Sequence, residues 1–254
     1  MQVSKDVLNY CAAIWAGFAI LLLPVLLKYK APYGRHISFA WGKTISNRFG
    51  WIVMEIVSPL VLVLCFFSGF NGSNLFALSL VAIWVIHYFH RSVIFPLYIR
   101  TTGKRIPIAV VGMAVFFNVI NGSLNGLYLG HFQTEFPREW PGMCRLILGF
   151  ALLIAGAYIN IRSDYILIRL RKPGETLYKI PQGFLFRFVS CPNHLGEMIE
   201  WVGFAIMAWN LPALSFAVWT IANLMPRALH HHSWYKKHFP DYPKERKALF
   251  PFLI

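Results

Sequence analysis

The sequence predicts an all-α protein that crosses a membrane several times. Two features of the composition support this class: 57% of the 254 residues are apolar and only 13% are charged, whereas a soluble domain is roughly 45–50% apolar and about 25% charged. A chain with so few charges cannot cover a folded domain with a polar surface, and this much apolar sequence excludes intrinsic disorder. The third feature is a series of long uncharged runs along the chain.

Five of these runs predict membrane-spanning helices directly, because about 20 mostly apolar residues are needed to cross a bilayer. They cover residues 7–27, 49–67, 75–90, 106–130 and 146–161, the last of which needs an extra turn. A further uncharged run covers 201–226. No small-residue cleavage site follows the first run, so we interpret it as a retained anchor.

The basic residues between the runs predict the orientation. Four segments carry four to six Lys and Arg each, namely 28–48, 91–105, 162–200 and 227–254. Basic loops stay on the cytoplasmic side, so these segments, including the C-terminus, should be cytoplasmic. An even number of crossings must then follow 162–200, which predicts a sixth helix starting near Val189, a turn at 210–212 and a seventh helix. We therefore predict seven transmembrane helices in a single domain over 1–254.

The net charge is +14, from 24 Lys and Arg against 10 Asp and Glu, and it indicates which kinds of partner the protein binds. A nucleic-acid-binding protein carries its basic residues on a water-facing patch over an ordinary core, and this composition does not provide one. We expect no nucleic-acid partner, contact of the basic loops with membrane lipid, and a monomer.

Charged side chains inside the runs are the first candidate functional residues, because ionisable groups are costly in a membrane and usually face the bundle interior. Glu55 is the one charged residue of the second run, and the third run carries His87, Tyr88, His90 and Arg91 near its cytoplasmic end. The two runs cross in opposite directions, so these side chains should lie at similar depth. They form either a packing ion pair or part of a site.

Amide side chains with helical spacing form a stripe in the fourth run. Asn118, Asn121 and Asn125 share one face. Amides between membrane helices often only bond a neighbouring helix, so we favour packing for these three residues.

Two further polar stripes are more typical of a site, because they lie at one depth on adjacent predicted helices. They consist of Asn160 and Asp164 on the fifth helix, and of Asn193, Glu197 and Glu200 on the sixth.

The segment after the last run offers either a metal centre or an anion site. The nine histidines are scattered too widely for the spaced boxes of a membrane di-iron centre, so we expect no metal. Arg227, His231 and Tyr235 recur at intervals of four and share one helical face, which suits an anionic ligand. Neither GxGxxG nor GxxxxGK[ST] occurs, so side chains in the mouth of the bundle would have to hold any nucleotide.

Six stretches resemble steroid 5α-reductases: 51–55 (WIVME), 87–91 (HYFHR), 160–164 (NIRSD), 170–182 (LRKPGETLYKIPQ), 193–201 (NHLGEMIEW) and the tail from Arg227 through DYPKERKALFPF. The similarity extends along essentially the whole chain and is densest in the C-terminal half. The sequence is thus similar to the 3-oxo-5α-steroid 4-dehydrogenase family.

This resemblance implies a seven-helix membrane enzyme that reduces the carbon 4–carbon 5 double bond of a 3-oxo-4-ene steroid with NADPH. It implies that Glu55 and Tyr88 are catalytic and that they bind the steroid together with Trp51. The cofactor-binding set that it implies is Tyr33, Arg35, Asn160, Asp164, Arg171, Tyr178, Lys179, Asn193, Glu197, Arg227, His231 and Tyr235. Lys179 stands where relatives have arginine, so it keeps the charge but loses the bidentate fork. Either Lys104 or Arg105 corresponds to a further basic residue of the family.

The implied chemistry suits the polar residues of the membrane runs. Reduction of an enone moves negative charge onto its carbonyl oxygen, and hydrogen-bond donors in a dry site stabilise that charge most in the transition state. Tyr88 can donate through its phenol, and a desolvated, neutral Glu55 can donate as well. A lipid-soluble substrate also explains why a reductase would lie in a membrane.

Two other classes of protein remain open from the sequence. Membrane methyltransferases that modify prenylcysteine or phospholipid have a comparable bundle and would bind S-adenosylmethionine, which lacks phosphates. A non-enzymatic lipid binder or transporter is the other, although the chain lacks the duplicated halves of many transporters. For a reductase we expect the endoplasmic reticulum in a eukaryote or the inner membrane in a bacterium.

Overall fold

The computed structural model describes residues 4–70, 72–100, 103–172, 175 and 177–253. The protein is mostly helical, as predicted, and residues 173, 174 and 176 of the stretch 170–182 lie outside the described part. The α-helices are α1 (Lys5–Lys28), α2 (Asn47–Phe67), α3 (Leu75–Phe89), α4 (Phe95–Tyr98), α5 (Ile108–His131), α6 (Trp140–Arg169), α7 (Pro192–Ala208) and α8 (Leu211–His238).

Five segments of the described chain are long and apolar enough to cross a membrane: α1, α2, the stretch Leu75–Tyr98, α5 and α6. They correspond in order to the five runs predicted directly, which supports a multi-pass membrane protein. The predicted count of seven is not confirmed, because α7 and α8 are not among these candidates. The turn expected at 210–212 does occur, since α7 ends at Ala208 and α8 begins at Leu211.

Two predicted boundaries were wrong, and both helices are longer than expected. The third run continues past residue 90 through a π-helical turn, His90–Ile94, into α4. The fifth was predicted over 146–161, but α6 covers Trp140–Arg169. In both cases the prediction stopped at the first arginine. Arg162 is exposed, and a long basic side chain can extend along a helix end to the polar interface, whereas Arg91 is buried against aromatic rings.

A short antiparallel ribbon joins two of the basic segments, which the sequence analysis did not predict. It pairs β1 (Thr44–Ser46) with β2 (Arg105–Pro107), with Ile45 opposite Ile106. Ile106 is fully buried, so this residue pair anchors the ribbon to the apolar core.

The chain divides into two compact units. Unit 1 comprises Met1–Trp15, Ala31–Met143 and Ala208–Ser215, and unit 2 comprises Ala16–Lys30, Cys144–Met207 and Phe216–Ile254. Each unit is described by itself below.

Unit 1 is built on the close packing of α2 and α5. A Cβ added at Gly122 of α5 would lie 3.0 Å from the carbonyl oxygen of Ser58, and one added at Gly126 would lie 2.8 Å from the Cβ of Cys65. These distances are shorter than nearly all real Cβ contacts, so only glycine permits this approach.

The amide stripe of α5 bonds neighbouring segments of unit 1, α2 among them, which confirms the packing interpretation. Asn118 donates to the carbonyl of Met54 at 2.6 Å, and Asn125 donates to the carbonyl of Pro212 at 3.3 Å. Asn121 accepts from the indole of Trp15 at 3.3 Å. The stripe therefore binds neighbouring backbone and side chains of unit 1.

Unit 2 is built on an equally close contact between α6 and α7. A Cβ added at Gly156 of α6 would lie 2.5 Å from the carbonyl oxygen of Gly196, and one added at Gly149 would lie 2.8 Å from that of Gly203. The described tail after α8 completes the apolar core, because Ala248 and Leu249 are buried in one cluster with residues of α7 and α8.

Candidate active site

Two contacts fix the level of α2 relative to α3 and the π-helical turn that follows it, His90–Ile94, within unit 1. The Arg91 guanidinium lies 5.3 Å from the centre of the Trp51 ring, and the Trp84 indole donates to the Ser58 hydroxyl at 3.0 Å. The partners move in opposite directions along the sequence, so the two helices are antiparallel.

Glu55 and Tyr88 lie between these two contacts. Glu55 is four residues after Trp51 and three before Ser58, so it shares their face of α2, and Tyr88 has the same relation to Trp84 and Arg91. Helical spacing therefore places Glu55 and Tyr88 at a similar level along the two helices.

The Tyr88 ring is held in a polar and aromatic environment. It is 5% exposed and stacks on Trp84, with ring centres 5.6 Å apart. Because Trp84 is itself bonded to the fully buried Ser58, the Tyr88 ring rests on a fixed neighbour.

A π-helical turn follows Tyr88 directly and carries Arg91 and Ser92. Such turns occur frequently at functional sites because they change the direction of side chains within a helix. Arg91 is buried beneath Trp51 and Phe95, with its guanidinium 4.9 Å from the Phe95 ring.

Trp51, Tyr33 and Arg35 are the other predicted residues of unit 1. Trp51 and Tyr33 pack against one apolar cluster that includes Ile106 of the ribbon. Arg35 lies in the short 3₁₀ turn Gly34–His36, where Gly34 adopts a positive φ of 61°. The structure thus brings Trp51 and Tyr33 to the same cluster, and Arg35 lies two residues further along the chain.

Of the alternatives Lys104 and Arg105, the structure places Arg105 in hydrogen bonds within the ribbon. Arg105 donates to the hydroxyl of Thr44 at 2.7 Å and to its carbonyl at 2.6 Å. The Arg105 guanidinium therefore helps to hold β1 against β2.

The two polar stripes of unit 2 meet, as the sequence analysis expected. Asn160 donates to the carbonyl of Asn193 at 3.0 Å and to the carboxylate of Glu197 at 3.3 Å. Asn193 donates to the carboxylate of Asp164 at 3.2 Å. Asn160 and Asp164 are 2% and 3% exposed, so amide and carboxylate groups of α6 and α7 form one buried cluster.

Arg171 and Tyr178 form a second group in unit 2. The Arg171 guanidinium lies 5.4 Å from the centre of the Tyr178 ring. The edge of Tyr178 meets Trp234 of α8 at 5.0 Å, and Trp234 stacks on His238 at 4.2 Å. Sequence reasoning missed Trp234, although it lies between His231 and Tyr235 on the same helix.

Lys179 is paired in the structure. Its ammonium donates to the Glu175 carboxylate at 2.6 Å, and the backbone amide of Lys172 donates to the same oxygen at 2.9 Å. The hydrogen bond from Lys179 is the main reason that the pKa of Glu175 is lowered.

Arg227, His231 and Tyr235 all lie on α8 and share one of its faces, as their spacing predicts. The His231 ring lies 5.8 Å from the His194 ring of α7. Tyr235 is 3% exposed, and its ring stacks on that of Tyr242 in the tail, 5.3 Å away and inclined by only 10°.

The tail provides a set of buried polar residues that the sequence analysis did not single out. Ser190 bonds His232 and Tyr242, and Arg246, 2% exposed, donates to the carbonyl of Pro181 at 3.2 Å. Burial lowers the pKa of His232 and raises that of Tyr242. No motif indicated these contacts, because they join segments that are far apart in the sequence.

Two buried polar atoms provide a test of whether a nucleotide or a polar substrate suits these residues. Among the described residues, neither the Trp51 indole N–H nor the Ser163 hydroxyl has a hydrogen-bond partner. Ser163 is fully buried on α6, directly before Asp164. A buried donor without a partner is costly, so each of the two groups suits a ligand that offers it an acceptor atom. The amides, carboxylates and guanidiniums of unit 2 match the carboxamide, hydroxyls and phosphates of a nicotinamide dinucleotide in the same way.

Comparison with known proteins identifies the family. The family model described as 3-oxo-5-alpha-steroid 4-dehydrogenase matches residues 104–254. The chain belongs to this family. Similar relatives include the steroid 5-alpha-reductase DET2 of Gossypium hirsutum, 37% identical over 100% of both chains. The 3-oxo-5-alpha-steroid 4-dehydrogenase 1 of Bos taurus is 40% identical over 98% of both. The 3-oxo-5-alpha-steroid 4-dehydrogenase 2 of Sus scrofa is 49% identical over a region that covers 70% of this chain and 69% of the relative's chain.

Membership in the family settles the class of protein that the sequence had left open. The relatives carry the names of oxidoreductases that act on CH–CH groups. The methyltransferase and the non-enzymatic lipid binder are therefore no longer favoured.

Proposed function

We propose that this chain reduces the carbon 4–carbon 5 double bond of a 3-oxo-4-ene steroid, yielding a 5α-3-oxosteroid at the expense of NADPH. The observation that carries the proposal is the pair of contacts of Trp51 with Arg91 and of Ser58 with Trp84. Helical spacing between these contacts supports a similar level for Glu55 and Tyr88. The names of the relatives support a steroid as the substrate.

Glu55 and Tyr88 act on the carbonyl oxygen of the steroid. A bound NADPH would supply the hydride that the β-carbon of the enone receives and would leave as NADP+, and the α-carbon would take a proton from water as the carbonyl re-forms. As negative charge develops on the carbonyl oxygen, the Tyr88 hydroxyl donates a hydrogen bond to it, and a protonated Glu55 donates a second. Such donors, placed in advance in a water-poor site, stabilise the transition state more than the ground state.

Trp51 supplies a further donor and an apolar wall. Its indole N–H is buried without a partner among the described residues, so an acceptor atom of a ligand would satisfy it. Its ring lies under the Arg91 guanidinium, and this contact limits the positions that the ring can adopt. We assign Trp51 to binding the steroid.

We assign the cofactor to the predicted set of twelve residues. Within unit 2, the buried cluster of Asn160, Asp164, Asn193 and Glu197 would bind the carboxamide and ribose hydroxyls. The cationic groups, Arg171 among them, would bind the phosphates. Lys179 would need to release Glu175 to contribute its charge in full.

The membrane arrangement is part of the proposal. We propose that α7 and the part of α8 before Arg227 add two crossings to the five candidate spans, so that 227–254 is cytoplasmic, as its six basic residues favour. We further propose that 1–254 works as one domain and as a monomer. Matches that cover 98–100% of this chain and of its relatives support a single domain. The membrane would be the endoplasmic reticulum or a bacterial inner membrane.

The decisive experiment measures NADPH oxidation by the purified protein with a panel of 3-oxo-4-ene steroids, together with the stereochemistry of the product at carbon 5. We expect steroid-dependent oxidation and a 5α product. A steroid with a saturated ring is the matched control, because it retains the carbonyl and lacks the double bond. Steroid-independent oxidation, or none with any 3-oxo-4-ene steroid, would contradict the proposal.

Variants of Glu55 test the assignment to the carbonyl. Glu55→Ala should abolish steroid turnover and leave NADPH binding intact, whereas Glu55→Gln keeps an amide donor and should retain partial activity. Removing one donor of this kind typically costs about 10²–10³-fold in kcat. NADPH binding is read separately from its thermal stabilisation of the protein, with S-adenosylmethionine as the ligand of the rival class. An equal loss of NADPH binding in both variants would remove Glu55 from the catalytic role.

A further inference from the structure

A buried hydroxyl, Ser190, joins the tail of the chain to α8. Its oxygen lies 2.6 Å from the Tyr242 hydroxyl, 2.7 Å from Nδ1 of His232 and 3.0 Å from the carbonyl oxygen of Lys247. Ser190 and Tyr242 are 3% and 6% exposed. All three neighbours belong to unit 2.

The donors and acceptors of this group are fixed by counting protons. A serine hydroxyl donates one hydrogen bond and accepts two. The Lys247 carbonyl can only accept, so Ser190 gives its proton to Lys247. The Tyr242 hydroxyl and the Nδ1–H of His232 must then both donate to Ser190. Each of the three contacts is satisfied, which gives Tyr242 a single orientation.

The backbone of the tail is bound to the same segment. The Ser190 amide donates to the Lys247 carbonyl at 2.8 Å, and the Lys247 amide donates to the Phe188 carbonyl at 2.9 Å. The tail is therefore attached to the residues just before α7, which begins at Pro192.

The ring of Tyr242 is the point at which the tail reaches the proposed cofactor residues. It stacks on Tyr235 with centres 5.3 Å apart and an inclination of 10°. Tyr235 also meets Trp234 at 5.5 Å, edge to face, and Phe239 at 5.8 Å. Trp234 and Phe239 lie close to Tyr235 in the sequence, whereas Tyr242 belongs to the tail. Tyr242 therefore supports the Tyr235 ring from a separate segment of the chain.

We propose that Tyr242 is a positioning residue for cofactor binding: its ring holds Tyr235 in the orientation that meets NADPH, while its hydroxyl anchors the tail through Ser190. The proposal rests on the proposed function, because Tyr235 is a cofactor residue only within it. The two parts of one side chain thus have separable roles, the ring in cofactor affinity and the hydroxyl in stability.

Substitutions of Tyr242 separate these roles. Tyr242→Leu removes the stack and the hydroxyl, whereas Tyr242→Phe removes only the hydroxyl and keeps a ring over Tyr235. The matched control is Phe252→Leu, which removes another ring contact of the tail, that with Phe188 at 6.0 Å, without touching Tyr235. The readouts are the unfolding temperature, the NADPH concentration that gives half-maximal thermal stabilisation, and the KM values for NADPH and for the steroid.

We expect both Tyr242 variants to unfold at lower temperature than the unaltered protein, and Phe252→Leu, at a side chain that is 81% exposed, to change the unfolding temperature little. Only Tyr242→Leu should raise the half-saturating NADPH concentration and the KM for NADPH, by about three- to tenfold, which is the range expected for one aromatic stack. The KM for the steroid should stay unchanged, and Tyr242→Phe should bind NADPH like the unaltered protein.

Two results would overturn the positioning role alone: unaltered NADPH half-saturation in Tyr242→Leu, or an equal rise in Phe252→Leu. Either would leave the tail with a purely structural role. Failure of the proposed function gives a different result, because the unaltered protein itself would then show no saturable stabilisation by NADPH, and the positioning role would fall with it.

Discussion

Gly196→Ala tests how strictly the proposed cofactor cluster depends on the contact between α6 and α7. A Cβ at this position would overlap the backbone nitrogen of Asn160 and lie 2.6 Å from the carbonyl oxygen of Gly156, whereas ordinary contacts begin at 3.4 Å. The atoms that it meets are backbone atoms of a long helix, which cannot rotate away. The two helices must therefore separate locally by roughly 0.8 Å, the difference between these distances.

This separation is large enough to break the cluster. Asn160 bonds Asn193 at 3.0 Å and Glu197 at 3.3 Å, and neither contact would remain a hydrogen bond if lengthened by that amount. Overpacking costs about 1–3 kcal/mol, and each lost hydrogen bond costs about 0.5–1.5 kcal/mol. We expect a total loss of roughly 2–6 kcal/mol in the free energy of unfolding, and weaker NADPH binding.

The assay measures the unfolding temperature in detergent and the NADPH concentration that gives half-maximal stabilisation. Gly126→Ala is the matched control, because its added Cβ overlaps the backbone of α2 at Leu62 in unit 1, where the proposed cluster has no part. Gly17→Ala, with nothing within 4 Å of the added atom, should leave stability unchanged or raise it slightly.

The expected pattern is destabilisation by Gly196→Ala and Gly126→Ala, with weaker NADPH binding only in the first. If Gly196→Ala lowers stability but binds NADPH normally, the contact between α6 and α7 supports the fold and not the cofactor. If it changes neither quantity, the helices adjust their separation freely, and the argument from backbone contacts is refuted.

Two further predictions concern titratable groups outside the membrane runs. Glu175→Gln removes the carboxylate that binds Lys179 at 2.6 Å, so the Lys179 ammonium becomes available to a phosphate. We expect the KM for NADPH to fall by about two- to threefold at low salt. An unchanged or higher KM would contradict this prediction. Burial is the main reason that the pKa of His232 is lowered from 6.5. The neutral ring is therefore favoured in the folded state, and its contribution to stability is present above about pH 6.5 and lost as the pH falls through the lower folded value. We expect His232→Gln to reduce the difference in unfolding temperature between about pH 7.5 and about pH 5.5, and an unaltered difference would exclude His232 as its source.

The helical, multi-pass nature of the protein was predictable because it depends on composition and run length, which are properties of the sequence itself. The separation of α7 from α8 was predictable for a different reason: the positive charge of 227–254 requires an even number of crossings before it. Whether both helices cross the bilayer was not predictable from hydropathy, because α7 has only 17 residues and contains Glu197 and Glu200.

The ribbon and the long helix ends were not predictable because tertiary contacts decide them. β1 and β2 contain three residues each, too few for a pattern of alternation, and they pair across about 60 residues of chain. The extension of α6 past Arg162 depends on a tertiary contact: Ser163 and Asp164 are buried within unit 2, and Asp164 accepts a hydrogen bond from Asn193 of α7.

The candidate site was predictable where its residues recur at helical spacing within one segment, as do Asn160 with Asp164 and Arg227 with His231. The level of α2 relative to α3 could not be predicted from the sequence, because the spacing of residues within one helix does not determine how that helix is aligned with its neighbour. It follows from Trp51 meeting Arg91 and from Ser58 meeting Trp84.

The residues that support the site from a distance were the hardest to predict, and the reason is physical. In the sequence, Tyr242 is one aromatic residue in a polar tail. Its role follows only from its ring stack on Tyr235 and its hydrogen bond to Ser190. The same stretch, DYPKERKALFPF, contributed to the family resemblance without any chemistry to explain it. If buried residues of the tail hold cofactor-binding residues in place, the tail tolerates as few substitutions as the residues that it supports. The tail need not touch the cofactor itself for this to hold.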